Sequence, residues 1–124
     1  MSKIALVVDD SMLIRHTVCR FFEERGFRVE SATNGMEALE MLAGMRPDLI
    51  VTDLQMPKMD GHQFIRALKE KPQTSDIPVV ILTNKNQPEQ LEQSAAHSVI
   101  YKDIDIVTQL GRVLQELLPQ CFKG

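Results

Sequence analysis

Apolar positions along the chain alternate between two rhythms. Ile4 to Val8 is an unbroken β-rich apolar run, the pattern of a strand buried on both faces. It ends at Asp9-Asp10-Ser11, where Ser11 is placed to cap a helix. In that helix Ile14, Val18, Phe21 and Phe22 recur at helical spacing, and Gly26 stops it. Phe27 to Ala32 reads as a second, more polar strand suited to a sheet edge. Asn34 and Glu37 form a capping-box pattern ahead of Ala38, Leu39, Leu42 and Met45. Arg46-Pro47 announces a third strand, Asp48 to Thr52, and a loop runs from Asp53 to Gly61. Phe64, Ile65 and Leu68 then mark a helix that ends before Pro72. Ile77 to Leu82 is a fourth strand and Val99 to Tyr101 a short fifth. Between them Pro88 suits a first helical position, but only Leu91, Ala95 and Ala96 could face a core, so a short, loosely held helix is expected. The last helix shows Ile104, Val107, Leu110, Leu114, Leu117 and Leu118, closed by Pro119.

Five strands alternating with five helices predict an α/β domain with a parallel sheet covered on both faces. Right-handed crossovers then bring the C-terminal ends of all strands to one edge, where ligands of such folds bind. Residues 1–124 fit a single domain, large enough to bury a core without disulfides or structural metal, and no repeat or interdomain linker divides them. The formal net charge is -3, with Lys and Arg unclustered, which argues against direct nucleic-acid binding. The first residues carry no signal-peptide pattern and no apolar run could span a bilayer, so a cytoplasmic protein without membrane contact is expected. Cys19 and Cys121 share no motif, and Cys19, within a helical stripe, is expected to be a buried, inert thiol. His16, His62 and His97 stand at no metal-ligand spacing.

The residues expected at the carboxyl edge carry the chemistry. The first strand ends in Asp9-Asp10, the third in Asp53, the fourth in Thr83 and the fifth in Lys102. Each has an ordinary explanation alone: a helix cap, a turn residue, a strand-end hydroxyl, a solvated charge. Their joint placement at one edge is what favours function. Three converging carboxylates would repel unless a cation sat among them, and hard oxygen ligands suit Mg2+. Asp53 could then act as a carboxylate nucleophile toward a phosphoryl group, with Lys102 and Thr83 on its oxygens.

The stretches V-V-D-D-S, V-T-D-L-Q-M-P-K-M-D-G, V-V-I-L-T and Y-K, in that order, resemble the response-regulator receiver family of two-component signal transduction. The resemblance covers the whole chain and implies a flavodoxin-like doubly wound (βα)5 sandwich, with a five-stranded parallel sheet in the order 2-1-3-4-5. It implies Asp53 as phosphoacceptor and Asp10, Asp53 and the Gln55 backbone carbonyl as Mg2+ ligands, with Asp9 assisting through water. Thr83 and Lys102 would contact the phosphoryl group, and Pro57 and Gly61 would shape the loop after Asp53. The donor would be a histidine kinase or phosphotransfer protein. A face of the fourth helix, fifth strand and fifth helix, including Tyr101, would signal to a downstream partner whose identity the sequence does not give. Homodimerisation of the phosphorylated form is left open. The chain would catalyse only its own phosphorylation and dephosphorylation and would not otherwise be an enzyme.

Four features depart from that family. Val99 stands where an aromatic residue is usual, Asp103 replaces the proline that usually follows the lysine, and Asn84 replaces a small residue. The stretch from Thr83 to Lys102 is also a few residues shorter. These departures support an alternative reading, a pseudo-receiver that docks proteins without phosphate. A haloacid-dehalogenase-like phosphatase would need an acid where Gln55 stands, and a flavin site would need glycines in the acidic first loop.

Overall fold

The computed structural model describes residues 3–53, 61–83, 98–101 and 105–117, without the side chains of residues 61, 62, 98 and 117. Its elements are β1 (Ile4–Val8), α1 (Met12–Glu23), β2 (Arg28–Ala32), α2 (Gly35–Leu42), β3 (Leu49–Asp53), α3 (Gly61–Glu70), β4 (Val79–Thr83), β5 (Ser98–Tyr101) and α4 (Ile106–Leu117). The five strands form one sheet in the order β2-β1-β3-β4-β5, and every neighbouring pair is parallel. The helix expected between the fourth and fifth strands falls on residues 84–97, outside the described residues.

Strand alternation divides the core between the two faces. Ala5, Val7, Leu49, Val51, Val80, Leu82 and Ile100 pack with α1 and α4, whereas Leu6, Val8, Ile50, Val79 and Ile81 pack with α2 and α3. Every residue of β3 and β4 is buried, as continuous apolar strands in a doubly covered sheet require. β2, the polar strand, lies at the edge, as its composition predicts.

Local chemistry sets the element ends. The Ser11 hydroxyl accepts the Ile14 N–H at 3.3 Å, capping α1. At the other end Phe27 N–H donates to Phe22 C=O and Gly26 N–H to Glu23 C=O, a Schellman turn with Gly26 at φ 85°. The Phe22 and Phe27 rings flanking it meet at 5.0 Å. In α2 the Asn34 side-chain oxygen accepts the Glu37 N–H at 2.9 Å, while the Glu37 carboxylate reaches Thr33 N–H at 2.8 Å, one residue earlier than in an ideal capping box.

Three expected boundaries move. α2 ends at Leu42 rather than Met45, because Ala43 and Gly44 tighten into i→i−3 bonds with Glu40 and Met41. Asp48 lies before β3 rather than in it, its carboxylate accepting Ile4 N–H at 2.8 Å at the start of β1. β4 begins at Val79, since Pro78 has no N–H for the ladder, although Ile77 is buried in the core as expected.

The last helix differs in phase. It buries Ile106, Leu110, Val113 and Leu114, while Val107, expected to face the core, is 45% exposed. Positions 106, 110, 113 and 114 form one helical face, and Val107 lies about 100° away from Ile106. Ile104, Leu118 and Pro119 lie outside the described residues.

Candidate functional site at the carboxyl edge of the sheet

Strand register brings the acidic residues together. Val8 stands opposite Thr52, so Asp9 and Asp53 each lie one position further along neighbouring strands. Asp53 in turn pairs with Leu82, and Thr83 is one position beyond. Asp9, Asp53 and Thr83 are all buried, while Asp10 is exposed at the rim.

The turn between β1 and α1 is tied down at three atoms of Asp9. Its N–H donates to Ala32 C=O at 3.1 Å, extending the ladder to β2. One carboxylate oxygen accepts the Ser11 N–H at 2.8 Å, and the backbone carbonyl accepts from the Arg15 guanidinium at 2.8 Å. Ser11 thus caps the helix with its hydroxyl while its N–H orients Asp9. With that turn fixed, Asp9, Asp10 and Asp53 each offer a carboxylate oxygen within 4.8 Å of the others. Two full charges at that separation oppose each other by about 3–4 kcal/mol at the effective dielectric of a protein surface. Such a group of hard oxygens suits a small divalent cation.

The predicted residues therefore separate into two sets. Asp9, Asp10 and Asp53 converge, and Thr83 ends the neighbouring strand on the same edge. Lys102 and Gln55 lie outside the described residues, as do Pro57, Asn84 and Asp103. Tyr101 closes β5 opposite Thr83 and lines a shallow groove of about 450 Å³ with Val99, Asp105, Thr108, Gln109 and Arg112. Val99 is partly buried and packs against the α2–α3 side of the core, as an aliphatic side chain can. Cys19 is half-buried rather than buried, and loss of solvation pushes its thiol pKa up, with Glu23 adding to the effect and Arg15 opposing it. That direction keeps the thiol protonated and inert at neutral pH.

Sequence reasoning missed Arg15 and Gln109. Arg15 stands four residues after the cap Ser11, so a full helical turn returns its side chain to the β1 end. Gln109 bonds the Tyr101 backbone from α4. Only the helical offset from the cap could have pointed to the first, and no sequence pattern marks the second.

The fold and its acidic carboxyl edge define a doubly wound α/β signal-receiver type of domain. The chain belongs to the response regulator receiver domain family, whose model matches residues 5–113. It is 41% identical over 86 residues to the response regulator MprA of Mycobacterium ulcerans (strain Agy99), a match covering 69% of this chain and 36% of that protein. The chain thus spans about a third of the length of the curated relatives it matches. Among solved structures, the signal receiver domain of a signal transduction histidine kinase from Syntrophus aciditrophicus superposes with a TM-score of 0.87 at 32% identity, covering 99% of this chain and 95% of that one. The chemotaxis response regulator CheY4 of Vibrio cholerae gives 0.87 at 31% identity, covering 95% of this chain and all (100%) of the other. No helix among the described residues is long and apolar enough to cross a membrane.

Proposed function

We propose that the chain is a phosphoacceptor in a two-component phosphorelay, taking a phosphoryl group onto Asp53 from a histidine kinase or phosphotransfer protein. The observation that carries this reading is the convergence of three carboxylates, two from the turn after β1 and one from the end of β3, at the sheet edge where Thr83 ends β4. A docking module without phosphate would have no use for such a costly cluster, so the cluster favours phosphoryl chemistry over the pseudo-receiver alternative.

Asp10, Asp53 and the Gln55 backbone carbonyl would hold Mg2+, with Asp9 reaching it through water. When bound, the ion neutralises charge on the carboxylates and on the phosphoryl oxygens. A carboxylate oxygen of Asp53 attacks phosphorus in line with the departing group; a P–N bond breaks and the donor imidazole leaves with its electron pair, taking up a proton. The Lys102 ammonium and the Thr83 hydroxyl stabilise the oxygens during transfer. The chain catalyses only this step and the later hydrolysis, in which water attacks phosphorus, the Asp53 carboxylate leaves and inorganic phosphate is released. The aspartyl phosphate carries about two negative charges at neutral pH where the free carboxylate carried one, and the Tyr101 face of β5 and α4 relays the change to a downstream protein partner. A homodimer of the phosphorylated form is one form such a partner could take.

Acetyl phosphate with Mg2+ tests the reading. Wild type should gain one phosphoryl group by intact mass and Asp53→Asn none. Equal labelling of both, or none of wild type, would refute it.

A further inference from the structure

The end of β5 is held by a side chain. β5 is the outermost strand of the sheet, paired with β4 alone among the described residues. An outer strand presents backbone N–H and C=O groups that no neighbouring strand satisfies. At Tyr101, its last residue, both groups are satisfied by one glutamine. The Tyr101 N–H donates to Gln109 Oε1 at 3.0 Å, and Gln109 Nε2 donates to Tyr101 C=O at 2.9 Å. A primary amide carries the same donor and acceptor as a peptide group, so Gln109 does for Tyr101 what a sixth strand would do. The second hydrogen on Nε2 is also engaged, by the Asp105 carbonyl at 3.2 Å. Asp105 itself caps α4, accepting the Thr108 N–H at 3.3 Å and the Thr108 hydroxyl at 2.8 Å. Strand end, amide and helix cap are therefore one connected unit.

Lys102 follows Tyr101 directly in the chain, and Asp103 follows Lys102. Asp103 has no ring to fix its φ, as a proline in that place would. We propose that Gln109 is a positioning residue for Lys102: the amide clamp on Tyr101 sets where the lysine starts and hence how its ammonium meets a phosphoryl group on Asp53. This rests on the phosphoacceptor reading above. Misplacement of a reacting group by about 1 Å can cost about 100-fold in rate, so loss of the clamp should slow transfer by about 10- to 100-fold. The Mg2+ affinity should not change, because Asp9 and Asp10 lie in the turn after β1 and Asp53 ends β3, away from the clamp on β5.

The experiment compares acetyl-phosphate labelling rates at saturating Mg2+ for wild type, Gln109→Leu, Gln109→Glu, Val113→Ala and Lys102→Ala. Gln109→Leu removes both bonds; Gln109→Glu keeps the acceptor but faces the Tyr101 carbonyl with a carboxylate. Val113→Ala opens the buried face of the same helix without touching the clamp, and so reports what destabilisation alone does. Both Gln109 variants should label at least tenfold slower with unchanged Mg2+ affinity, and the Tyr101 amide should exchange faster in Gln109→Leu. Val113→Ala should label at the wild-type rate well below its melting temperature. Wild-type labelling by Gln109→Leu, or an equal slowing in Val113→Ala, would reduce the clamp to a structural contact and overturn the proposal. Wild-type labelling by Lys102→Ala, or no labelling of wild type, would instead remove the reading beneath it.

Discussion

The Arg15 guanidinium donates a 2.8 Å hydrogen bond to the backbone carbonyl of Asp9, from one turn inside α1 back to the end of β1. It thereby places a fixed positive charge on the backbone of Asp9, a member of the three-carboxylate cluster, and braces the turn that carries two of the three. Both effects favour the metal-free fold, but they respond differently to substitution. Arg15→Ala should lower the melting temperature without Mg2+ by about 4 °C, corresponding to about 1 kcal/mol for a partly exposed charged hydrogen bond in a domain of this size. It should also enlarge the rise in melting temperature on adding Mg2+, since less of the repulsion is already offset. Arg15→Lys keeps the charge and loses the planar fork, so its Mg2+ increment should stay close to wild type. Identical increments in all three proteins would show that Arg15 does not act on the cluster.

Asp10 is the one exposed member of that cluster and can be removed without opening the core. Mg2+ at ten times its Kd should stabilise wild type by about 1.4 kcal/mol through mass action. Asp10→Ala should lose most of that response. Without metal, the same variant should melt a few degrees above wild type, because Asp9 and Asp53 lose a repulsive neighbour. Thermal melts of both proteins in chelator and in Mg2+ check the two signs together. A wild-type melting temperature indifferent to Mg2+ would count against the metal site.

The parts of the fold legible in the sequence were those that periodicity and caps determine. β1, β3 and β4 show as apolar runs, and Ser11 and Asn34 show as caps because short oxygen-bearing side chains compete for free helix N–H groups. The phase of the last helix was misjudged at Val107. Leu110 and Leu114 fit both possible faces, and it is Ile106 and Val113, not Val107, that complete the buried one. The acidic cluster was legible because strand ends at one edge are forced together by register. Arg15 and Gln109 were not legible. A polar side chain reaching a backbone group of another element leaves no periodic trace, and on sequence alone it looks like a solvated residue.

Gly26 isolates a backbone effect from a packing effect. Its φ of 85° is needed for the turn from α1 into β2, yet a Cβ built there meets no atom within 4 Å. Gly26→Ala should therefore cost only the left-handed strain, about 1–2 kcal/mol, less some recovery from a stiffer unfolded chain. Gly26→Asn should cost less, since asparagine tolerates this region better. Urea unfolding should show lower midpoints with unchanged m-values, and the Mg2+ response should be intact. A loss above about 3 kcal/mol would mean that the turn, with Phe22 and Phe27 beside it, rearranges.

Asp105 offers a pH test of the cap that anchors the Gln109 unit. Its pKa is lowered from the ordinary carboxylate value, chiefly by the Thr108 hydroxyl bond and next by the Thr108 N–H bond, with burial opposing weakly. A depressed folded pKa means that the ionised form is bound more tightly in the folded state than in the unfolded chain. Its contribution is then fully present above the unfolded pKa, about 3.9, and is lost as pH falls through the lower folded value. The advantage of wild type over Asp105→Ala in melting temperature should be level from about pH 5 to 8 and shrink below about pH 4. Both proteins share the Asp9, Asp10 and Asp53 cluster, so whatever it contributes cancels in the difference. Asp105→Asn keeps a side-chain oxygen to accept from Thr108 without a titrating group, so its advantage over Asp105→Ala should persist into acid. If the wild-type advantage is unchanged at pH 3, the carboxylate charge is not what holds this helix start.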